Sequence, residues 1–142
     1  MTNEQLIGFA KNARKNAASD ISRFKVGAAL LTNTGDVLLG CNIEDPSGIG
    51  ITNICAERCA IIKAISEGHK DFEKIAVVGG MANDGGENND DSSDELVFCA
   101  PCGACRQYLN SWCPDIIVIL QGDDGMIKEY GLRDLLPYPF NK

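Results

Sequence analysis

Two short stretches of this chain carry residues able to do chemistry together. Cys55-Ala56-Glu57 offers a thiol and a carboxylate two residues apart, and Pro101-Cys102-Gly103-Ala104-Cys105 offers two thiols at C-x-x-C spacing. A C-x-x-C pair in the first turn of a helix can grip one metal ion. Cys55, at the start of another helix, can supply a third thiolate. Helix N-termini favour the ionised thiol, because unpaired N–H groups and the positive end of the dipole face it. Three thiolates on Zn²⁺ leave a fourth position open, as expected of a catalytic rather than a structural zinc site. Glu57 then stands where it can handle protons beside a water in that position. Two other arrangements compete. Cys59, four residues after Cys55, would close a four-cysteine structural site. Cys99 extends the pair to C-x-x-C-x-x-C and partly echoes an iron–sulfur run, although seven residues separate Cys105 from Cys113 where that pattern needs three. Cys41, Cys59, Cys99 and Cys113 otherwise read as small core residues.

The elements that must position these groups follow from periodicity and turn chemistry. Thr2-Asn3-Glu4-Gln5 has capping-box form, and Leu6, Ala10, Ala13 and Ala17 recur at helical spacing, which predicts a helix over residues 3–18. Val26 to Thr32 and Val37 to Ile43 flank Asn33-Thr34-Gly35-Asp36 and predict a hairpin. Residues 44–53 read as a loop. A second helix is expected from about Cys55 to Glu67, stopped by Gly68. Ile75 to Val78 and Ile116 to Leu120 read as buried strands, and Leu96-Val97-Phe98 as strand-like. Cys102 to Trp112 is helix-like, Met126 to Tyr130 is a further strand, and Leu132 to Leu136 a helical turn. This order predicts a three-layer α/β/α sandwich around a mixed sheet of about five strands.

The 142 residues fit one domain, 1–142, better than two. Residues 81–95 (MANDGGENNDDSSDE) are polar, acidic and without aromatics, and are read as a loop insertion rather than a linker. Hydrophobic residues make up 44% and charged residues 23%, which excludes global disorder. Six acids lie between Asp84 and Glu95; removing them from the net charge of −7 leaves −1. No basic excess exists to track a phosphate backbone, so a nucleic-acid partner is disfavoured. No apolar run approaches the ~20 residues of a membrane helix, and no leader is evident, so a cytoplasmic protein is expected. Seven cysteines, an odd number, point to metal ligation or reactive thiols in a reducing compartment.

Beyond the metal-binding stretches, Phe24-Lys25-Val26-Gly27-Ala28-Ala29-Leu30, Asn42-Ile43-Glu44, Cys55-Ala56-Glu57-Arg58, PCGACRQ (101–107) and Leu135-Leu136-Pro137-Tyr138-Pro139-Phe140 stand in one order along nearly the whole chain. In this set and order the chain resembles the cytidine deaminase family, in particular its small homotetrameric members. The resemblance implies one Zn²⁺ per subunit held by Cys55, Cys102 and Cys105, with Glu57 as proton shuttle. It further implies Asn42 and Glu44 on the ribose hydroxyl, Phe24 against the base, and Ala56 offering backbone groups to the pyrimidine edge. Phe140 would reach a neighbouring subunit's site. Arg58 and Arg106, each directly after a key residue, are expected to donate to ligand sulfurs and offset the charge of three thiolates. The implied reaction is hydrolytic deamination of cytidine or deoxycytidine to the uridine product and ammonia. Two alternatives are deamination of another cytosine nucleoside, such as a blasticidin-like antibiotic, and a non-catalytic zinc-stabilised domain. Arg58 counts against the first, and Glu57 against the second. The chain departs from the family in its 45–53 loop, which is longer and lacks an aromatic, and in Ser19-Asp20-Ile21-Ser22.

Overall fold

The computed structural model describes residues 1–83 and 95–141. Helix α1 (Asn3–Arg14) begins with the expected capping box: Gln5 N–H donates to Thr2 Oγ1 at 3.1 Å and Thr2 N–H to Gln5 Oε1 at 2.9 Å. Strands β1 (Phe24–Thr32) and β2 (Val37–Cys41) form the hairpin, in register Gly27–Cys41 to Leu31–Val37. After the short 3₁₀ turn at Gly50–Thr52 come helix α2 (Ala56–Ser66) and strand β3 (Phe72–Met81). Helix α3 (Gly103–Trp112), strands β4 (Ile117–Gln121) and β5 (Ile127–Gly131), and the single turn α4 (Leu132–Leu135) complete the order.

The five strands lie in the order β2-β1-β3-β4-β5. Only β3 and β4 run parallel; the other pairs are antiparallel. Side chains alternate across this sheet, and the core is accordingly double. Ala29, Leu31, Ala76, Val78 and Ile119 pack on Leu6, Ile7 and Ala10 of α1. On the other face Ala28, Leu30, Ile75, Val77, Val118 and Leu120 meet Ala60, Ile61 and Ala64 of α2 and Leu109 of α3. The three-layer α/β/α sandwich with a five-stranded mixed sheet is therefore the observed architecture.

Tertiary pairing corrects several predicted boundaries. The first helix ends at Arg14 rather than 18, because the following chain is taken up by the end of the hairpin: Ala18 N–H donates to Asn42 O and Glu44 N–H to Ala18 O. Strand β3 is longer than 75–78, and Met81 is its last residue rather than part of the acidic loop. Residues 96–98 do not form a strand; Val97 makes one bridge to Gly79. Most of the expected acidic insertion lies outside the described residues. Gly68, with φ +97°, stops α2 as its position suggested.

The topology has one consequence for chemistry. Both α2 and α3 lead through short connections into the parallel strands β3 and β4. Each helix thus returns its N-terminus to the carboxyl end of that pair, the edge where open α/β sheets place their ligands.

Candidate active site

Cys55 is the N-cap residue of α2 and Cys102 the N-cap of α3, while Cys105 sits in the first turn of α3. Neither N-cap makes a side-chain capping bond, which leaves both sulfurs free to turn toward each other. The three Sγ atoms lie within 4.8 Å of one another, and Cys55 Sγ is 3.7 Å from Cys102 Sγ. A tetrahedral ion with Zn–S bonds of ~2.3 Å spaces its sulfurs about 3.8 Å apart. The cluster fits a zinc site. Cys59 and Cys99 are not members of it, which sets aside the four-cysteine and iron–sulfur arrangements. Cys99 and Cys113 have thiols that burial pushes up to about 12, as suits core residues.

The charges around the cluster are unequal. The Cys55 thiol is held down to about 5, chiefly by a hydrogen bond from Cys105 and further by Arg58, against the cost of burial. Cys105, fully buried, is raised by that same interaction and by its burial. Arg58 Nη2 donates to Cys55 Sγ at 3.4 Å, and the guanidinium also bonds Cys105. Its Nε is buried with no hydrogen-bond partner among the described residues. Glu57, in the first turn of α2, is only 4% exposed. Burial pushes its carboxyl up to about 7, although the Cys105 thiol hydrogen-bonds it and Arg58 lies near. A carboxyl is thus enclosed beside three sulfurs at the meeting of two helix N-termini.

The expected partner residues divide. Arg58 reaches the sulfurs. Arg106 does not: Nε donates to Pro101 O at 2.7 Å and Nη1 to Leu135 O at 2.6 Å. Pro101 lies in the turn before α3 and Leu135 at the end of α4, where carbonyls are left over from the helical pattern, and they claim the guanidinium. Arg106 therefore braces the ligand turn instead of touching a ligand.

Asn42 and Phe24 are joined through the backbone. Asn42 Oδ1 accepts from Val26 N–H at 2.9 Å and Nδ2 donates to Phe24 O at 2.8 Å, fastening the entry of β1 to the end of β2. The Phe24 ring packs over Gly79, where an added Cβ would sit 3.0 Å from the ring and 2.7 Å from Cys99 Sγ. Glu44 Oε1 accepts from Ile21 and Ser22 N–H, both at 3.2 Å, and shapes the loop before β1. Ala56 is fully buried at the first position of α2, so its N–H is among those without an intrahelical acceptor. Phe140 is not gathered with these groups; the residue is 77% exposed on the C-terminal tail.

Sequence reasoning missed Arg14. It is 2% exposed and donates through Nε to Lys25 O at 2.8 Å and through Nη2 to Gly80 O at 2.8 Å, tying α1 to the strand ends beside Phe24. Its only sequence signal was a place on the apolar face of α1, which a basic residue disguises.

Comparison with known proteins agrees with this geometry. Residues 1–121 match the family model described as the cytidine and deoxycytidylate deaminase zinc-binding region. A cytidine deaminase from Halalkalibacterium halodurans is 43% identical over 99% of this chain and 95% of its own. A blasticidin-S deaminase from Bacillus cereus is 32% identical over 85% of this chain and 80% of its own. The crystal structure of a cytidine deaminase from Burkholderia pseudomallei superposes with a TM-score of 0.82 at 39% identity, covering 99% of this chain and all of that one. With a family model spanning most of its length and relatives alike from end to end, this chain belongs to the cytidine and deoxycytidylate deaminase family.

Proposed function

We propose that this protein is a zinc-dependent cytidine and deoxycytidine deaminase, releasing ammonia and the uridine product. The observation that carries the reading is Glu57, enclosed beside three clustered sulfurs where two helix N-termini converge. A structural zinc site has no use for a buried carboxylate at its edge. Cys55, Cys102 and Cys105 would hold the ion, which when bound polarises a water and lowers its pKa. Glu57 takes the proton from that water and passes it to N3 of the cytosine ring as oxygen adds at C4. It then takes the proton from the new C4 hydroxyl and hands it to the amine, so that the C4–N4 bond breaks as the C4 carbonyl forms and ammonia leaves. Phe24 covers the base, the Ala56 backbone meets the pyrimidine edge, and Asn42 and Glu44 bind the ribose hydroxyl. Each of the last two already holds the backbone around β1, so their orientation is set before substrate arrives.

Residues 1–142 form one domain in this reading, with an acidic insertion, and four copies assemble so that Phe140 serves a neighbouring site. The exposed Phe140 ring supports that assembly. Seven free thiols, three of them needed reduced for the ion, support a cytoplasmic location.

The test is turnover of a substrate panel, followed by ammonia release and ultraviolet absorbance. Cytidine and deoxycytidine are expected to be converted faster than a blasticidin-type nucleoside. Glu57→Gln is expected to keep its zinc and lose ~10²–10⁴-fold or more in kcat, the usual range for removing general acid–base help. A zinc-loaded Glu57→Gln variant with near-normal kcat would remove Glu57 from the mechanism, and a zinc-loaded native protein inert on every pyrimidine nucleoside would overturn the reading.

A further inference from the structure

The C-terminal tail is held in an unusual way. Gln107 Oε1 accepts from Phe140 N–H at 2.9 Å, and its Nε2 donates to Phe140 O at 2.8 Å. One side-chain amide thus pairs with both polar groups of a single residue's backbone, as a neighbouring strand would. Along the same helix Arg106 bonds Leu135 O, and Asn110 Nδ2 bonds Asn141 Oδ1 at 3.0 Å. Three side chains of α3 therefore grip the tail at its beginning and end. Between them Tyr138 has φ +55° although it is not glycine and precedes Pro139. Both conditions disfavour that conformation, and it persists only where the surroundings over-determine it.

All this order serves a ring that the protomer does not bury. Phe140 is 77% exposed and Tyr138 wholly so. Fixing the backbone that carries an exposed apolar ring makes sense when something beyond the protomer receives it, because an ordered segment costs less entropy on binding. We propose that Gln107 is a positioning residue: it fixes the backbone of Phe140 so that the ring is presented, already ordered, to the nucleoside site of a second copy of this chain. This rests on the reading of Phe140 as a substrate contact in trans. It goes beyond that reading in making α3 a shared part, whose N-cap and first turn carry two cysteines of one site while its next turn aims the aromatic of another.

The test compares Gln107→Ala, Gln107→Glu, Phe140→Ala and the Gln107→Ala/Phe140→Ala pair, each checked for zinc content, thermal midpoint and assembly size. With both clamp bonds removed, Gln107→Ala is expected to raise KM for cytidine ~5- to 30-fold, from two hydrogen bonds of ordinary strength, with the larger part of the change in KM rather than kcat. Gln107→Glu keeps the acceptor for Phe140 N–H and loses the donor, so it should raise KM as well. The paired variant should be no worse than Phe140→Ala, because the two side chains act through one contact. Mixed assemblies of Gln107→Ala with Glu57→Gln chains should regain low-KM turnover, since some sites then combine an intact Glu57 with an intact clamp. If Phe140→Ala raises KM but neither Gln107 variant does, the clamp has only a structural role and the inference falls alone. If Phe140→Ala leaves KM unchanged, the reading of Phe140 falls and takes the inference with it. A raised KM in Gln107→Ala that mixed assemblies do not rescue would place the ring in its own protomer's site and overturn the proposal.

Discussion

Arg58 shows how much of the site turns on one side chain. Three thiolates on a dication leave a net charge of −1, which opposes activation of a bound water. A guanidinium 3.4 Å from Cys55 Sγ returns positive charge to the donor atoms. Arg58→Ala is expected to weaken zinc retention by ~10–100-fold, the usual effect of losing a partner to a metal ligand, as read by competition with a chromophoric chelator. Arg58→Lys should recover part of the loss, since a point charge replaces only some of the fork. The contrast with Arg106 marks the limit of reading residues singly. Both arginines follow a key residue directly, so sequence treats them alike. What separates them is a carbonyl at Pro101 and another at Leu135, the second brought near by the return of the chain nearly thirty residues later. The cysteines and Glu57 were legible because their spacing is local to two helix starts. Gln107 was inside a recognised motif, yet its partner at Phe140 depends on the fold.

The helices deliver these groups only because they lie very close to the sheet. A Cβ on Gly40 would stand 2.4 Å from Ala56 O and 2.5 Å from Ala60 N. Beneath α2 the strand must carry glycine, and Ala56, Ala60 and Ala64 form the matching small-residue stripe. Gly40→Ala forces the first turn of α2, with Cys55 and Glu57, away from β2. It is expected to cost about 1–3 kcal/mol, as overpacking does, measured by chemical denaturation, and to lower zinc content at a fixed chelator concentration. Native zinc content with native stability would show that the helix can yield there. Element types were readable from periodicity and turn residues; boundaries were not. Ala18 is a good helix former, yet it pairs with the hairpin end and not with α1. Leu96-Val97-Phe98 has strand composition but finds a single bridge.

At the level of the whole molecule, the sulfur cluster joins elements far apart in sequence. Cys55 starts α2 and Cys102 and Cys105 start α3, so an ion held by all three cross-links the two helices on one face of the sheet. Binding that favours only the folded state stabilises it by mass action, about 4 kcal/mol at a thousandfold excess over Kd. Removal of zinc by a strong chelator is expected to lower Tm by about 10 °C or more and to abolish turnover, with both restored on adding the metal back. An unchanged Tm in a protein shown to be zinc-free would mean the helices hold their places without it.

The bridge between Gly79 and Val97 bears on how this scaffold can be used. Val97 N–H donates to Gly79 O at 2.9 Å, and Glu95 O approaches to 2.1 Å from where a Gly80 Cβ would be. The end of β3 at Gly79 and Gly80 and the returning chain at Glu95 and Val97 are therefore held side by side. Doubling the length of flexible chain that joins two fixed anchors costs only about 0.6 kcal/mol in closure entropy. A reporter peptide or affinity handle spliced between those anchors would ride on the enzyme as on a socket, with the strand order and the cysteine-bearing helices left as they are.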